Sequence, residues 1–542
     1  MKKATVTIDG VTTTAEIGTS LFEAAESVQV TVPTSCIKQG KCRECLVEIE
    51  KGAELLTELT PQESHLGGKF RLACRTRLAN EGEVRCHTLR RGSLRIETET
   101  TGLTQNDLRL DPAVTRDENK ILLDGEAIAE SSQAIHGIAI DIGTTTVVLR
   151  LHDLENGKLL ATQSFENPQR FGGSDIMARI HFDGEQKERL LQRTLLGYLT
   201  RAIQALPVDP ITIYEMVVAG NPTMRDLFFG LDVQSIGVIP YRSTTEAAMR
   251  EGRVSTTSIS REARMLRLPI HPRARVYGLP LIGSHVGADA AACVLATRIA
   301  DQDKVCAILD IGTNTEAILG NADRLMAASC PAGPAFEGGG VVFGMPALDG
   351  AIERIRLQNG SVAFDVIQNS EPIGICGSGL VDLLSELLRT GQMNEQGRLI
   401  EDHEVFMIDA AHGIFVAEPD INELAQAKGA NAAGLRVLAE SYGIDILQID
   451  RLYLAGGFSR HLDVEASCRI GLIPDIPRDR IHKIGNAALQ GAAMALLSRT
   501  ERARLEQLVK RIEHVRLETN PHFFDFFVEG CQFRSFPHRD SQ

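Results

Sequence analysis

The chain has 542 residues, 43% hydrophobic and 24% charged, an ordinary globular composition with length for about three or four domains. Its 57 basic and 71 acidic residues give a formal charge of -14, which argues against an electrostatic nucleic-acid binder and against a protein held on anionic membranes. MKKATVTIDG at the start has no apolar stretch behind its lysines and no later run is long enough to span a bilayer, so the expected location is cytoplasmic; eleven cysteines, odd in number and mostly scattered, speak against a secreted disulfide framework.

ATVTIDG and TTTAEIG read as two strands about a turn, SLFEAAESV as a short helix capped by Ser20, and CLVEIEKG as a further strand. That order is β-grasp-like. Between the helix and the last strand lies Cys36-x5-Cys42-x2-Cys45, and Cys74 comes later in KFRLACRTRL. A loop with three cysteines and a distant fourth is the pattern of a plant-type [2Fe-2S] site, in which one loop wraps the cluster and a separate segment closes it. The spacing is one residue longer in its first gap than the usual C-x4-C-x2-C. Zinc is the alternative metal, although zinc ribbons carry two short-spaced pairs and Cys74 stands alone. Cys86, in VRCHTL, sits at an inward strand position and reads as a core residue.

From about residue 98 to 135 the sequence is polar and poor in aromatics, as a tether between domains would be. Beyond it the chain repeats itself. IAIDIGTTTVVLRLHDLENGKLLATQSF, from Ile138, reads strand, Gly turn, strand, Asn156-Gly157 hairpin, strand; CAILDIGTNTEAILGNADRLMAAS, from Cys306, gives the same order with Gly320-Asn321 at the second turn. Two related lobes facing each other across a cleft are implied. Gly143 and Gly312 lack a Cβ, so the N-H groups of Thr144, Thr145, Thr313 and Asn314 can approach phosphate oxygens, while Asp141 and Asp310 sit at strand ends where Mg2+ and its waters can be held. A single D-x-G-T is an ordinary turn; two copies on matching strands are not. RLYLAGGFSRHLDV adds a buried strand ending in Gly456 and Gly457, bare backbone against which an adenosine can lie, and SHVGADAAACVLATRIA and GNAALQGAAMALLSR are helices with small residues suited to close packing. LLQRTLLGYLTRAIQAL is expected to be a core-facing helix. Glu316, beside the second turn, is the candidate for polarising an attacking water. Neither a Walker P-loop nor a strand-linked G-x-G-x-x-G is present.

IAIDIGTTTVVL resembles the phosphate-1 motif of the actin, sugar kinase and Hsp70 superfamily, CAILDIGTNTEAIL its phosphate-2 motif, LYLAGGF its adenosine motif, and the two small-residue helices its connecting segments. The resemblance runs from about residue 136 to 500. With the cysteine module in front, and with ENPQRFGGSDIMARI, VAGNPTM, CPAGPAFEGG, GICGSGLVDLLSELL and a terminal SFPH, nearly the whole chain resembles the reductive activators of corrinoid-dependent methyltransferases. The resemblance implies a fold of mixed α+β and α/β class: a β-grasp ferredoxin-like domain over 1–97, a linker over 98–135, and a two-lobed RNase H-like ATPase of the actin/Hsp70 type divided into 136–300 and 301–542. It implies ATP, Mg2+ and a [2Fe-2S] cluster on Cys36, Cys42, Cys45 and Cys74 as cofactors, and return of an oxidised Co(II) corrinoid to Co(I). A corrinoid protein and an electron donor such as a ferredoxin or flavoprotein are the implied partners, with a homodimer as the implied assembly. A small-molecule kinase carrying an iron-sulfur sensor shares the ATP fold and is the alternative; activators of radical dehydratases share one [4Fe-4S] cluster between subunits, which leaves the N-terminal module unexplained.

Overall fold

Alternation of apolar and polar residues organises the N-terminal module. In the computed structural model, which describes residues 2–30, 32, 38, 45–64, 66, 68–88, 108–185, 188–358, 360–400 and 404–537, strands β1 (Lys3–Ile8), β2 (Val11–Glu16), β3 (Leu46–Lys51), β4 (Phe70–Leu72) and β5 (Glu83–Thr88) form one sheet in the order β2-β1-β5-β3-β4, with β1 and β5 parallel. The helix Leu21–Ser27 begins at Ser20 in a capping box, the Glu23 amide donating to Ser20 Oγ at 3.1 Å and the Ser20 amide to Glu23 Oε2 at 2.9 Å. Val6, Ile8, Val47, Ile49, Val84 and Cys86 are buried. The alternate residues Thr5, Thr7, Glu48, Glu83, Arg85 and His87 form the other, polar face, which fronts the rest of the protein across a cavity.

The expected tether is folded in its second half. Strands β6 (Val114–Asp117), β7 (Lys120–Leu123) and β8 (Glu126–Glu130) form an antiparallel meander whose Val114, Ile121 and Ile128 are buried against the main body. The cause is local turn chemistry. Asp124 and Gly125 both adopt positive φ, the geometry that an Asp-Gly pair brings to a two-residue hairpin, so the polar composition belongs to a small sheet and not to a free linker over 108–135.

The repeat read in the sequence is a repeat of topology. In the first lobe β9 (His136–Ile142), β10 (Thr146–Asp153) and β11 (Leu159–Glu166) are antiparallel, and β12 (Ile213–Gly220) and β14 (Arg275–Gly278) extend the sheet parallel to β9, with β13 (Ile259–Glu262) at the edge. In the second, β15 (Cys306–Asp310), β16 (Thr315–Gly320) and β17 (Leu325–Cys330) are antiparallel, and β23 (Arg451–Ala455) and β24 (Ile481–Gly485) extend it parallel to β15. Smaller sheets in this lobe comprise β18 (Ala351–Gln358), β19 (Ser361–Val366) and β20 (Gly374–Ile375), and the pair β21 (Val405–Asp409) and β22 (Ile414–Ala417); β25 (Ile512–His514) joins β17. This is the two-lobed RNase H-like arrangement expected. The helix Leu190–Gln204 turns its apolar stripe inward, as its periodicity predicts.

Two small-residue helices, Ala288–Thr297 and Ala487–Leu497, join the lobes in one buried layer. Their backbones touch: a Cβ on Gly491 would lie 2.0 Å from the carbonyl oxygen of Ala292. The C-terminal segment folds back on the helix Glu418–Tyr442, where the buried Lys428 donates from Nζ to the carbonyl of Gln532 at 2.6 Å and to that of Gly530.

Candidate nucleotide and metal sites

The turn after β9 carries Gly143, Thr144 and Thr145, and the carbonyl of each is tied down by the segment ENPQRFGGSDIMARI. Asn167 Nδ2 donates to Gly143 O at 2.8 Å, Arg179 Nη2 to Thr144 O at 2.7 Å, and the Asn167 amide to Thr145 O at 2.6 Å. Arg179 is fully buried and its Nε also holds Gly173 O at 3.0 Å. Asn221, in VAGNPTM, donates from Nδ2 to Thr144 Oγ1 at 3.1 Å while capping the helix Pro222–Phe229. The first turn is therefore braced before any ligand arrives.

The second turn, Gly312, Thr313 and Asn314, faces it across the cleft, with Thr145 Oγ1 and Thr313 Oγ1 3.4 Å apart. Gly456 and Gly457 follow β23 beside it. Gly456 has a φ of +91°, and a Cβ there would lie 2.7 Å from Ile311 O and 2.9 Å from Asp310 Oδ1, so glycine is what allows this strand end to meet the second turn. The same cleft is lined by Asp141, Asp310 and Glu316, which places every nucleotide-site residue expected from the sequence around one space.

Five carboxylates line it, since Asp289 and Glu337 join Asp141, Asp310 and Glu316. Burial pushes Asp141 up to about 7, with the charge of Asp310 adding and a hydrogen bond from Asn486 opposing. Burial likewise raises Asp310 to about 6. Asp289 and Glu316 are raised by burial first and then by their acidic neighbours. Asn486 Nδ2 reaches Asp141 Oδ2 at 2.9 Å, and Cys293 Sγ lies 3.4 Å from Asp310 Oδ2. Buried carboxylates of one sign need a counter-charge, and a hard divalent cation with oxygen ligands fits this donor set.

In the N-terminal module Cys45, just before β3, and Cys74, just after β4, are buried with their sulfurs 3.3 Å apart, too far for a disulfide. Two sulfurs on one tetrahedral metal with bonds of about 2.3 Å would be roughly 3.7 Å apart, so this pair fits two ligands of a single metal atom. Cys36 and Cys42 lie outside the described residues. Cys86 keeps to the core, its thiol pushed up to about 12 by burial.

Asp289, Asn486, Asn167, Arg179, Asn221 and Glu337 were not singled out by sequence reasoning. For four of them a signal existed: Asn167 and Arg179 stand inside ENPQRFGGSDIMARI, Asn221 in VAGNPTM and Glu337 in CPAGPAFEGG, segments otherwise without an assigned role.

Known proteins match the chain along most of its length. Residues 6–79 match the 2Fe-2S iron-sulfur cluster binding domain model, 136–302 the RACo middle region, and 304–542 the C-terminal domain of RACo, the ASKHA domain. The chain is 28% identical to the corrinoid activation enzyme RamQ of Eubacterium limosum, over 94% of this chain and 95% of that one. It is 25% identical to the [Co(II) methylated amine-specific corrinoid protein] reductase of Methanosarcina barkeri, over 73% of this chain and 76% of that one. A solved structure, a reductive activator for corrinoid, iron-sulfur protein, superposes with a TM-score of 0.71 at 29% identity, covering 98% of this chain and 100% of the other.

Proposed function

The chain belongs to the RACo family, and from that premise we propose that it is an ATP-hydrolysing iron-sulfur reductase that returns the cobalt of a corrinoid protein from Co(II) to Co(I). The observation that carries this reading is the union in one chain of a ferredoxin module, with its paired Cys45 and Cys74, and a cleft where two threonine-bearing turns meet five carboxylates. A kinase would use the cleft and leave the ferredoxin module without a role.

When bound, the [2Fe-2S] cluster supplies a one-electron carrier; such clusters lie near roughly -400 mV in plant-type ferredoxins. Cys45 and Cys74 would hold one metal atom of it, with Cys36 and Cys42 assigned to the rest. Co(I) corrinoids are strongly reducing, so the transfer runs uphill, at about 2.3 kcal/mol for each 100 mV. ATP offsets that difference through differential binding to two protein states.

Thr144, Thr145, Thr313 and Asn314 are assigned to the phosphates, Gly456 and Gly457 to the adenosine, and Asp141 and Asp310 to Mg2+ and its waters. Glu316, its carboxyl raised by burial first and then by its acidic neighbours, is assigned to the attacking water. An external ferredoxin or flavoprotein is the proposed electron donor.

The test is optical. Reduced protein mixed with a Co(II) corrinoid protein is expected to develop the Co(I) spectrum on addition of MgATP, and Asp310→Asn, with its cluster intact, is expected not to. Full ATP-dependent activity in Asp310→Asn would remove the assigned role of the cleft.

A further inference from the structure

Glu337 stands in a wall between two spaces. On one side is the nucleotide cleft; on the other is a cavity of about 1170 Å³ between the polar face of the ferredoxin sheet and the ATPase lobes, and both Glu337 and Thr145 line both. Glu337 Oε2 accepts from Thr145 Oγ1 at 2.8 Å and also from Thr313 Oγ1, so a single carboxylate oxygen bridges the two phosphate turns. On the far side of the wall lies Arg170. Its Nη1 pairs with Glu166 and lies 3.5 Å from Oε2 of Glu48, a residue of β3 in the ferredoxin module that is only 1% exposed. Lys69 of the same module holds the other Glu48 oxygen at 2.5 Å. The charge of Glu337 acts on Arg170 together with those of Glu166 and Glu48.

We propose that Glu337 is a positioning residue through which engagement of the terminal phosphate of ATP loosens the hold of the ATPase on the ferredoxin module at Glu48. This rests on the reading of the cleft as an ATP site. A hydroxyl has one proton to donate. If Thr145 and Thr313 give theirs to phosphate oxygens, they no longer give them to Glu337. The carboxylate, left beside a group of like charge, is drawn to the neighbouring cation Arg170, whose guanidinium then serves Glu166 and Glu337 and releases Glu48. The ion pair across the module boundary weakens when a γ-phosphate is seated. Linkage makes the effect reciprocal: a docked ferredoxin module opposes binding of a triphosphate and is indifferent to a diphosphate.

Calorimetric titration of the full-length, cluster-loaded protein with Mg-AMP-PNP and with Mg-ADP, under anaerobic conditions, measures this directly. Glu48→Gln, remote from the nucleotide, is expected to tighten AMP-PNP by roughly fivefold or more and leave ADP unchanged. In a Glu337→Gln background the same substitution is expected to have no triphosphate-selective effect. Glu48→Asp, one methylene shorter and so withdrawn from Arg170, weakens the same pair from the ferredoxin side and serves if Glu48→Gln does not fold; the expected shift has the same direction. An AMP-PNP to ADP affinity ratio unchanged by these substitutions, or both affinities moving together as a general structural effect would move them, overturns the coupling. Failure of wild-type protein to bind either nucleotide would instead overturn the ATP reading beneath it.

Discussion

Asn486 donates its side-chain amide to Oδ2 of Asp141 at 2.9 Å, joining the head of the helix Ala487–Leu497 to the end of β9, 345 residues away in sequence. The same side chain caps its helix, its Oδ1 accepting from the Leu489 amide at 2.7 Å. The two roles separate by substitution. Asn486→Ala is expected to lose about 1–2 kcal/mol of stability with the cap and to weaken Mg2+ binding; Asn486→Ser keeps a capping oxygen but has no amide to reach Asp141, and is expected to recover stability without recovering Mg2+ affinity. Thermal melts and Mg2+ titrations of both variants are the check.

The buried carboxylates set a pH dependence. Asp141 at about 7 and Asp310 at about 6 lie above the ordinary carboxylate range, because burial disfavours their charge. Between about pH 4 and those values the metal-free fold binds more protons than the unfolded chain, so this contribution to stability is fully present at the acid end and is lost as pH rises through 6 to 7. Metal-free protein is expected to lose roughly 5 °C or more of Tm between pH 5.5 and 8. Mg2+ is expected to restore most of that at pH 8 and to add little at pH 5.5, where protons compete with it. Equal stabilisation by Mg2+ at both pH values would mean that the cation binds elsewhere.

Arg179 is fully buried; its Nη2 and Nε donate to the carbonyls of Thr144 and Gly173, and its Nη1 to Sδ of Met224. Arg179→Met leaves both carbonyls without that partner, at about 1–3 kcal/mol each, and frees the first turn. The KM for ATP is expected to rise about tenfold or more, a loss of roughly 1.4 kcal/mol or more in binding. Arg179→Lys, able to reach one carbonyl, is expected to fall between the two in steady-state ATPase assays.

Gly491 tests the contact between the lobe-joining helices. Alanine in a helix interior is worth about 1 kcal/mol over glycine by propensity alone, yet a Cβ at this position would lie 2.0 Å from Ala292 O. Packing is expected to win, and Gly491→Ala should lower stability by about 2 kcal/mol or more. A rise in Tm in calorimetry would show that the helices have room to part.

The elements legible in the sequence are those whose chemistry is local. DIGTTT and DIGTNT carry turn, strand and acid within a few residues, so the repeat and its position at the mouth of two sheets can be read directly; Ser20 announces its helix in the same way. The meander over 114–130 also has a local signal, Asp124-Gly125, which the polar composition around it obscures. The remainder of the site is non-local. Asp289 and Asn486 reach the cleft only because two small-residue helices bring their N-terminal ends to it, and Glu337 gains its meaning only when Thr145 and Thr313, 168 residues apart, face each other. No spacing along the chain encodes those meetings.

Movement of an electron to cobalt, driven by ATP within one chain, is tested most directly by freeze-quench EPR of the dithionite-reduced, desalted protein mixed with a Co(II) corrinoid protein. The reduced cluster and Co(II) are both paramagnetic, and the products of the transfer are both EPR-silent. The two signals are expected to persist together without nucleotide, to decay together in equal amounts on addition of MgATP, and to be unaffected by MgATP in Asp310→Asn. Decay of the Co(II) signal without nucleotide, or ATP hydrolysis with both signals intact, would contradict the account.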